Sequence, residues 1–356
     1  MQAGLPDIWI LTYLRPDAGS GVERFVSNLS KALADRGFNI RVLDAQRPSR
    51  FGAIVLRFRP FAAWKLGRRL NRLAAPEDLV ICNGYFSWNV RRRKKIVVFH
   101  GTELGRARAT ADVTGRLRNF AVRTVNARLD RKSGTGGVVV AVSDSTKNEL
   151  ERFYRLKVEA VIPNGIDLQV YMPSKDKNQL RRTLGLPVDK FLILYAGPPD
   201  ARKGFEFIMG QIQPRLQENQ RLVVTVELPD NPKNVIALGR IPFDSIVNYY
   251  QACDAFLMPS YYEGCSYALA EAMACGLPSV MSNVGSATDL LTDSILSKYV
   301  MTRMDAKDYA KAITGLESSE EAKLASDAAR QYAQRHFDIE DFNQRYSRLI
   351  EELASR

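Results

Sequence analysis

The chain has 356 residues, more than one ordinary hydrophobic core accommodates, so length favours two domains. Its 46% hydrophobic content is that of a globular protein, and no apolar run approaches the ~20 residues of a membrane span. The net charge of +12 is unevenly spread: residues 1–165 carry 30 Lys and Arg against 14 Asp and Glu, and the remainder 21 against 25. A basic half that would meet polyanions is thus joined to a mildly acidic one.

The first apolar run, Ile8–Tyr13, is predicted as a strand, and the residues before it lack the basic start, apolar stretch and small-residue cleavage site of a secretory signal. A glycine-containing loop leads to a helix over Val22–Arg36, with Val22, Phe25, Val26, Leu29 and Leu33 on one face and Gly37 as its C-cap. A second strand follows at Ile40–Leu43, and further strands at Leu79–Cys82, Ile96–Phe99 and Val138–Val142, these three continuously apolar, as parallel strands buried on both faces are. Helices in the intervals complete a βαβ order and predict a doubly wound sheet. The pattern then restarts. Val158–Ile162 runs into the turn Pro163-Asn-Gly-Ile-Asp167, a polar helix covers Lys177–Leu184, and strands fall at Phe191–Tyr195, Leu222–Val226, Val235–Leu238 and Ala255–Met258. The domain junction is expected near residues 163–175. The last stretch, Ile339–Leu353, reads as an amphipathic helix with Phe342, Tyr346, Leu349 and Ile350 inward.

Cys82, Cys253, Cys265 and Cys275 lie apart, with no CxxC pair, which argues for reduced thiols in the cytosol and against a disulfide framework or a zinc site. His100 and His336 are the only histidines, which also argues against a histidine-built metal centre.

The segment richest in chemistry is Tyr261-Tyr-Glu-Gly-Cys-Ser-Tyr-Ala-Leu-Ala-Glu-Ala-Met-Ala-Cys-Gly-Leu-Pro278, directly after a predicted strand. A helix from about Ser266 to Cys275 is expected to end at Gly276, with Pro278 beyond. Its N-terminus would point to the carboxyl end of the sheet, where open α/β sheets bind ligands, and its unbonded N–H groups suit a diphosphate. Glu263 and Glu271 stand eight positions apart around that helix start. Two carboxylates beside a phosphate site are costly unless they bind hydroxyls of a sugar or ribose. Ordinary surface glutamates are the plainer alternative, but Glu271 within Ala-Leu-Ala-Glu-Ala-Met-Ala has no wholly solvated face.

This Glu, seven residues, Glu arrangement in its EGxxxxLxEAMACGxP frame resembles the large retaining glycosyltransferase family 4, of the GT-B fold. Val161-Ile-Pro-Asn-Gly-Ile-Asp167 resembles the family's interdomain VIPNGVD motif, and Leu194-Tyr-Ala-Gly-Pro-Pro-Asp-Ala-Arg-Lys-Gly204 its GRLxxxKG motif. Ala237-Leu-Gly-Arg-Ile241 resembles the loop lining the base, Val140-Ala-Val-Ser-Asp144 its VSxS strand end, and Gly19-Ser-Gly-Val-Glu-Arg-Phe its GGxER loop. The implied architecture is α/β, with two Rossmann-like domains whose parallel sheets face a central cleft. Residues 1–163 would form the acceptor-binding domain, with the final helix (about 338–356) packing back on it, and 164–337 the nucleotide-sugar donor domain.

The resemblance further implies residue roles. Glu271 would hold the donor ribose, and Glu263 the transferred sugar near its reacting carbon. Lys203 would neutralise the diphosphate leaving group. The amides of Gly264, Cys265, Ser266 and Tyr267 would contact sugar and phosphates, and Arg240 and Ile241 would line the base. Gly19 and Gly21 would let the first loop approach the diphosphate or acceptor closely. His100 would hydrogen-bond the donor sugar; a buried core histidine is the competing reading, but its place at a strand's carboxyl end beside a Gly-Thr turn favours function. The family's usual Arg after the glycine of GRL is here Pro198, so either Arg202 supplies the second positive charge or Lys203 and the helix amides act without it. The implied mechanism retains the anomeric configuration, needs no metal and uses no other cofactor, the donor being a UDP-, GDP- or other nucleotide sugar. No D-x-D occurs in the sequence.

Two basic stretches stand out, Arg57–Leu73 and Arg91-Arg-Arg-Lys-Lys95. A charge run is commonly a solvated face and a Trp commonly core. Together with the +16 excess on this half, Trp64, Arg68, Arg69, Arg91, Arg92 and Arg93 suggest instead a surface for an acceptor at an anionic membrane. The expected enzyme is cytoplasmic and peripheral on the inner face of the plasma membrane, acting on a glycan or lipid-linked acceptor in cell-envelope glycolipid or polysaccharide synthesis. A small soluble acceptor is the alternative, as is an inactive nucleotide-sugar binder, for which Pro198 speaks. A nicotinamide dehydrogenase is disfavoured because Gly19-Ser-Gly lacks the third glycine of GxGxxG, although Asp44 sits at a suitable strand end. No nucleic-acid-binding module accompanies the charge, so no nucleic-acid partner is expected.

Overall fold

The computed structural model describes residues 7–13, 21–45, 59–111, 122–230 and 232–355. The chain divides into two compact units, Met1–Gly165 with Glu340–Arg356, and Ile166–Ile339.

The first unit carries six parallel strands: β1 (Ile8–Leu11), β2 (Ile40–Leu43), β3 (Leu79–Asn83), β4 (Lys95–Phe99), β5 (Val138–Ala141) and β6 (Ala160–Val161). They lie in the order β2-β1-β3-β4-β5-β6. The four inner strands are buried along their whole lengths. β2 is an edge strand, and its Arg41 and Val42 are exposed. The helix Gly21–Ala34 lays Phe25, Val26, Leu29 and Leu33 into the core, as the 3.6-residue spacing predicts. Phe25 meets the rings of Phe342 and Tyr346 edge-on, with centroids 5.7 and 5.6 Å away. Those two residues belong to the final helix, Ile339–Ser355, which also buries Ile350 and Leu353. Lys94 Nζ donates to the carbonyl of Ala354 at 2.6 Å, so the end of the chain completes the core of its beginning.

The second unit also has six parallel strands: β7 (Phe191–Tyr195), β8 (Gln220–Val224), β9 (Val235–Ala237), β10 (Ala255–Met258), β11 (Ser279–Ser282) and β12 (Val300–Met301). Their order is β12-β11-β10-β7-β8-β9, which in the unit's own count is the 3-2-1-4-5-6 winding of dinucleotide-binding domains. The direction of winding reverses between β7 and β10, the place where open α/β sheets bind ligands beyond the strands' carboxyl ends. β11 and β12 were not predicted. Serines bracket β11 and break the apolar run, but Ser279 Oγ donates to Leu277 O at 3.0 Å and Ser282 Oγ lies 2.8 Å from Tyr309 Oη, so both hydroxyls stay buried without loss.

Candidate active site

Two turns meet at the β7/β10 reversal. After β7 the chain passes Gly197 and Pro198 into the turn 200–204. Asp200 Oδ1 accepts the Arg202 N–H at 2.7 Å, and Gly204 closes the turn at φ +74. A Cβ on Gly204 would stand 2.0 Å from the Pro259 carbonyl oxygen, so only glycine allows this turn to lie against the chain leaving β10. The Arg202 carbonyl accepts the N–H of Tyr261 at 2.8 Å, fixing the register between the turns.

That register delivers two cations to one carboxylate. Lys203 Nζ lies 2.7 Å from Glu263 Oε1, and Arg202 Nη1 lies 3.5 Å from the same oxygen while donating to the Tyr262 carbonyl at 3.0 Å. The Glu263 side chain is only 9% exposed. Burial pushes its pKa up, but Lys203 and Arg202 more than offset this and hold it below the usual carboxylate range. Pro198 offers no charge; its carbonyl accepts Tyr195 Oη at 2.7 Å and the Asp200 N–H at 2.8 Å, shaping the turn that presents Arg202 and Lys203.

Beyond Glu263 the loop continues through Gly264 and the partly exposed Cys265 to Ser266, the N-cap of the helix Tyr267–Ala274. Ser266 Oγ accepts the Leu269 N–H at 3.4 Å. A second glycine holds this loop from behind. Gly285 has φ +55, its missing Cβ would fall 2.3 Å from the Gly264 carbonyl oxygen, and the Ser286 N–H donates to that carbonyl at 2.8 Å. Glu271, a turn into the helix, is 4% exposed, so the plainer surface reading does not hold for it. Arg240 is exposed and Ile241 half-buried, following the edge strand β9 two places from β7. Neither makes a hydrogen bond or ion pair with the two turns.

In the first unit the strand order reverses between β1 and β3, and the chain leaves β4 at His100. Asn83, the last residue of β3, ties the three strand ends together. Its Nδ2 donates to the Leu11 carbonyl at 2.9 Å, which turns Oδ1 toward His100 Nε2, also at 2.9 Å. Nε2 therefore carries the proton and Nδ1 is the acceptor. Burial lowers the His100 pKa to about 4, and the ring stands edge-on to Phe25 at 4.7 Å. Sequence reasoning missed Asn83; its signal was an amide side chain closing an apolar strand, outside every motif. Gly19 lies outside the described residues, and Gly21 is the exposed first residue of its helix.

The basic stretches separate into two kinds. The helix Arg59–Leu73 turns Ala62, Ala63, Leu66 and Leu70 inward and exposes Phe61, Lys65, Arg68, Arg69, Arg72 and Leu73, with Trp64 half-buried among them. Phe61 stacks on Trp64 at 5.8 Å and Arg68 lies 5.4 Å from the Trp64 ring. Residues 57 and 58 lie outside the described residues. The run 91–95 corrects expectation. Arg91 and Arg93 are exposed, but Arg92 Nη2 donates to the carbonyls of Asn71 (3.3 Å) and Ala74 (2.5 Å), capping the C-terminus of the basic helix. Lys95 is buried with Nζ 3.1 Å from the Thr135 carbonyl. Orphan carbonyls at a helix end took the charge that the sequence seemed to offer a partner.

Among the described residues no helix is long and apolar enough to cross a membrane, and no three His, Cys, Asp or Glu side chains gather as a metal site needs. Residues 19–170 match the family model described as Glycosyltransferase Family 4, and residues 176–335 the one described as Glycosyl transferases group 1. The putative teichuronic acid biosynthesis glycosyltransferase TuaC of Bacillus subtilis is 30% identical over 165 residues, covering 45% of this chain and 42% of the relative. A D-inositol 3-phosphate glycosyltransferase of Xylanimonas cellulosilytica is 31% identical over 187 residues, covering 44% and 45%. The chain thus spans less than half the length of these two curated relatives. The structure is similar to sucrose-phosphate synthase from Thermosynechococcus elongatus, with TM-score 0.81, 20% identity and coverage of 99% and 100%. It is also similar to WaaG, a glycosyltransferase involved in lipopolysaccharide biosynthesis, with TM-score 0.74, 18% identity and coverage of 96% and 99%. With each half matched in chain order by a family model and two six-stranded parallel sheets in a fold similar to these solved structures, the chain belongs to the family 4 type of glycosyltransferases, of the GT-B fold.

Proposed function

We propose that the protein transfers a sugar from a nucleotide diphosphate sugar to a glycan or lipid-linked acceptor, with retention of the anomeric configuration and without a metal. The observation that carries the reading is the Lys203–Glu263 pair at the β7/β10 reversal, directly ahead of the capped helix Tyr267–Ala274. A helix start and a lysine are both suited to the charge that develops on a departing diphosphate. Glu263 and Glu271 are acceptors for sugar and ribose hydroxyls, and His100, in the other unit, is neutral with Nδ1 as its acceptor.

In the reaction the acceptor hydroxyl bonds to the anomeric carbon as the bond from that carbon to the diphosphate oxygen breaks. The departing diphosphate takes the acceptor's proton on the same face. Bond, proton and leaving group balance without a separate base, and the nucleoside diphosphate is the second product. Lys203 and the first-turn amides stand in for the cation that other transferases bind.

The acceptor is read as membrane-associated because the Arg59–Leu73 helix exposes four basic side chains and an aromatic pair on one face, with no acidic residue in its sequence. A cell-envelope role at the cytoplasmic side of the membrane goes with this reading, and the relative TuaC is named for teichuronic acid biosynthesis. A small soluble acceptor is the second reading, favoured by the relative named for D-inositol 3-phosphate. A thermal-shift panel of UDP-, GDP- and ADP-sugars and NAD tests the donor class. A sugar nucleotide must raise the melting temperature. Stabilisation by NAD alone overturns the reading, as does a product whose anomer, read by NMR, differs from the donor's.

A further inference from the structure

Glu263 holds two cations of different character. The Lys203 ammonium is a compact charge on a flexible stem, whereas the Arg202 fork is pinned. Arg202 is fixed through its side chain to the Tyr262 carbonyl, and through its backbone to the Asp200 carboxylate and the Tyr261 N–H. A diphosphate at the helix start competes with Glu263 for Lys203. If Lys203 were the sole partner, its departure would leave a carboxylate 9% exposed with no compensating charge, which is strongly unfavourable.

We propose that Arg202 is a positioning residue: it retains and orients the Glu263 carboxylate when Lys203 turns to the donor diphosphate. Arg202 therefore does not replace the arginine missing at Pro198. Its guanidinium stays with the 260–263 turn, and the phosphates receive one lysine and the helix amides. This inference rests on the reading of the site as a nucleotide-sugar site, and it assigns the two neighbouring cations opposite partners in the loaded state.

The division of labour is tested first without any nucleotide. Carboxylate 13C NMR follows the titration of Glu263 in the wild type, in Lys203→Ala, in Arg202→Ala and in the double variant. The expected result is that Glu263 still titrates in the acidic range in Lys203→Ala and moves up by a further one unit or more, roughly, in the double variant. A Lys203→Ala protein whose Glu263 already titrates where the double variant's does overturns the proposal. The second measurement is kinetic. Arg202→Ala is expected to lower kcat about tenfold and to raise the acid limb of its pH profile, with nucleoside diphosphate affinity within about threefold of wild type. Arg202→Lys restores the pH limb in part, since charge returns without the fork. An Arg202→Ala protein that loses diphosphate affinity as severely as Lys203→Ala places the arginine on the phosphates and overturns the inference. Failure of the wild type to bind any sugar nucleotide defeats the functional reading, while the NMR result still decides whether Arg202 holds Glu263.

Discussion

Lys203 and Glu263 reach each other at 2.7 Å from loops that follow different strands of one sheet, and Glu263 is the carboxylate that pairs the lysine's charge. On the proposed reading the pair exchanges partners: a diphosphate takes the lysine, and the carboxylate turns to a sugar hydroxyl. Lys203→Ala is accordingly expected to lose on the order of 100-fold in kcat, because the missing charge acts as the leaving group departs. Steady-state kinetics with the preferred donor check this, and near-normal turnover refutes the assignment of Lys203 to the diphosphate.

His100 gives a pH prediction with a definite sign. Its folded-state pKa of about 4 lies below the ordinary 6.5, so between these values the unfolded chain binds a proton that the folded chain does not. Its contribution to stability is intact above about 6.5 and declines as pH falls, by up to about 1.4 kcal/mol per unit. Turnover should show no inflection near 6.5 from this residue, since the ring stays neutral. Replacing it as His100→Gln should flatten the stability profile between pH 4 and 6.5, measured by denaturant melts. An unchanged slope would mean that the ring is not held neutral by burial.

Gly285 backs the 263–266 loop by its close approach to the Glu263 and Gly264 carbonyls rather than through chemistry of its own. Gly285→Ala introduces a Cβ 2.3 Å from the Gly264 oxygen at a positive φ, so the loop must shift. The expected cost is ~1–3 kcal/mol of stability, with a fall of tenfold or more in kcat/KM. Gly210→Ala is the control, because nothing lies within 4 Å of the Cβ it adds. Equal behaviour of the two variants would show that the loop tolerates displacement.

The strands that form the sheet interiors were legible because burial on both faces writes an apolar run. The β11 strand was not: Ser279 and Ser282 end it with hydroxyls that find partners only once the fold has formed. The helix beyond Glu263 was legible from its glycine stop and its following proline. What stayed hidden was pairing at a distance. Arg202 and Glu263 are 61 positions apart, and only the reversal of winding between β7 and β10 brings them together. Asn83 was hidden for the same reason, since its role lies in joining the ends of β1, β3 and β4. Charge runs misled in the opposite direction. Arg92 and Lys95 look like surface in the sequence, yet both serve carbonyls of their own chain.

That distinction yields the membrane prediction. The exposed stripe of the Arg59–Leu73 helix presents Arg68, Arg69 and Arg72 beside Phe61 and Trp64, whereas Arg92 caps the same helix from behind. Each arginine near anionic headgroups contributes about 1 kcal/mol, so replacing three by serine should weaken binding to phosphatidylglycerol vesicles by roughly two orders of magnitude. Salt should weaken the wild type in the same direction, because such attraction is screened within about 10 Å at 0.1 M. Arg92→Ala should act differently: it frees two helix-end carbonyls and lowers the melting temperature, while folded protein at low temperature floats with vesicles as before. Wild-type flotation that ignores phosphatidylglycerol content would remove the stripe from consideration as a membrane surface. The soluble-acceptor reading would then stand on the same donor site, since neither Lys203 nor Glu263 depends on this helix.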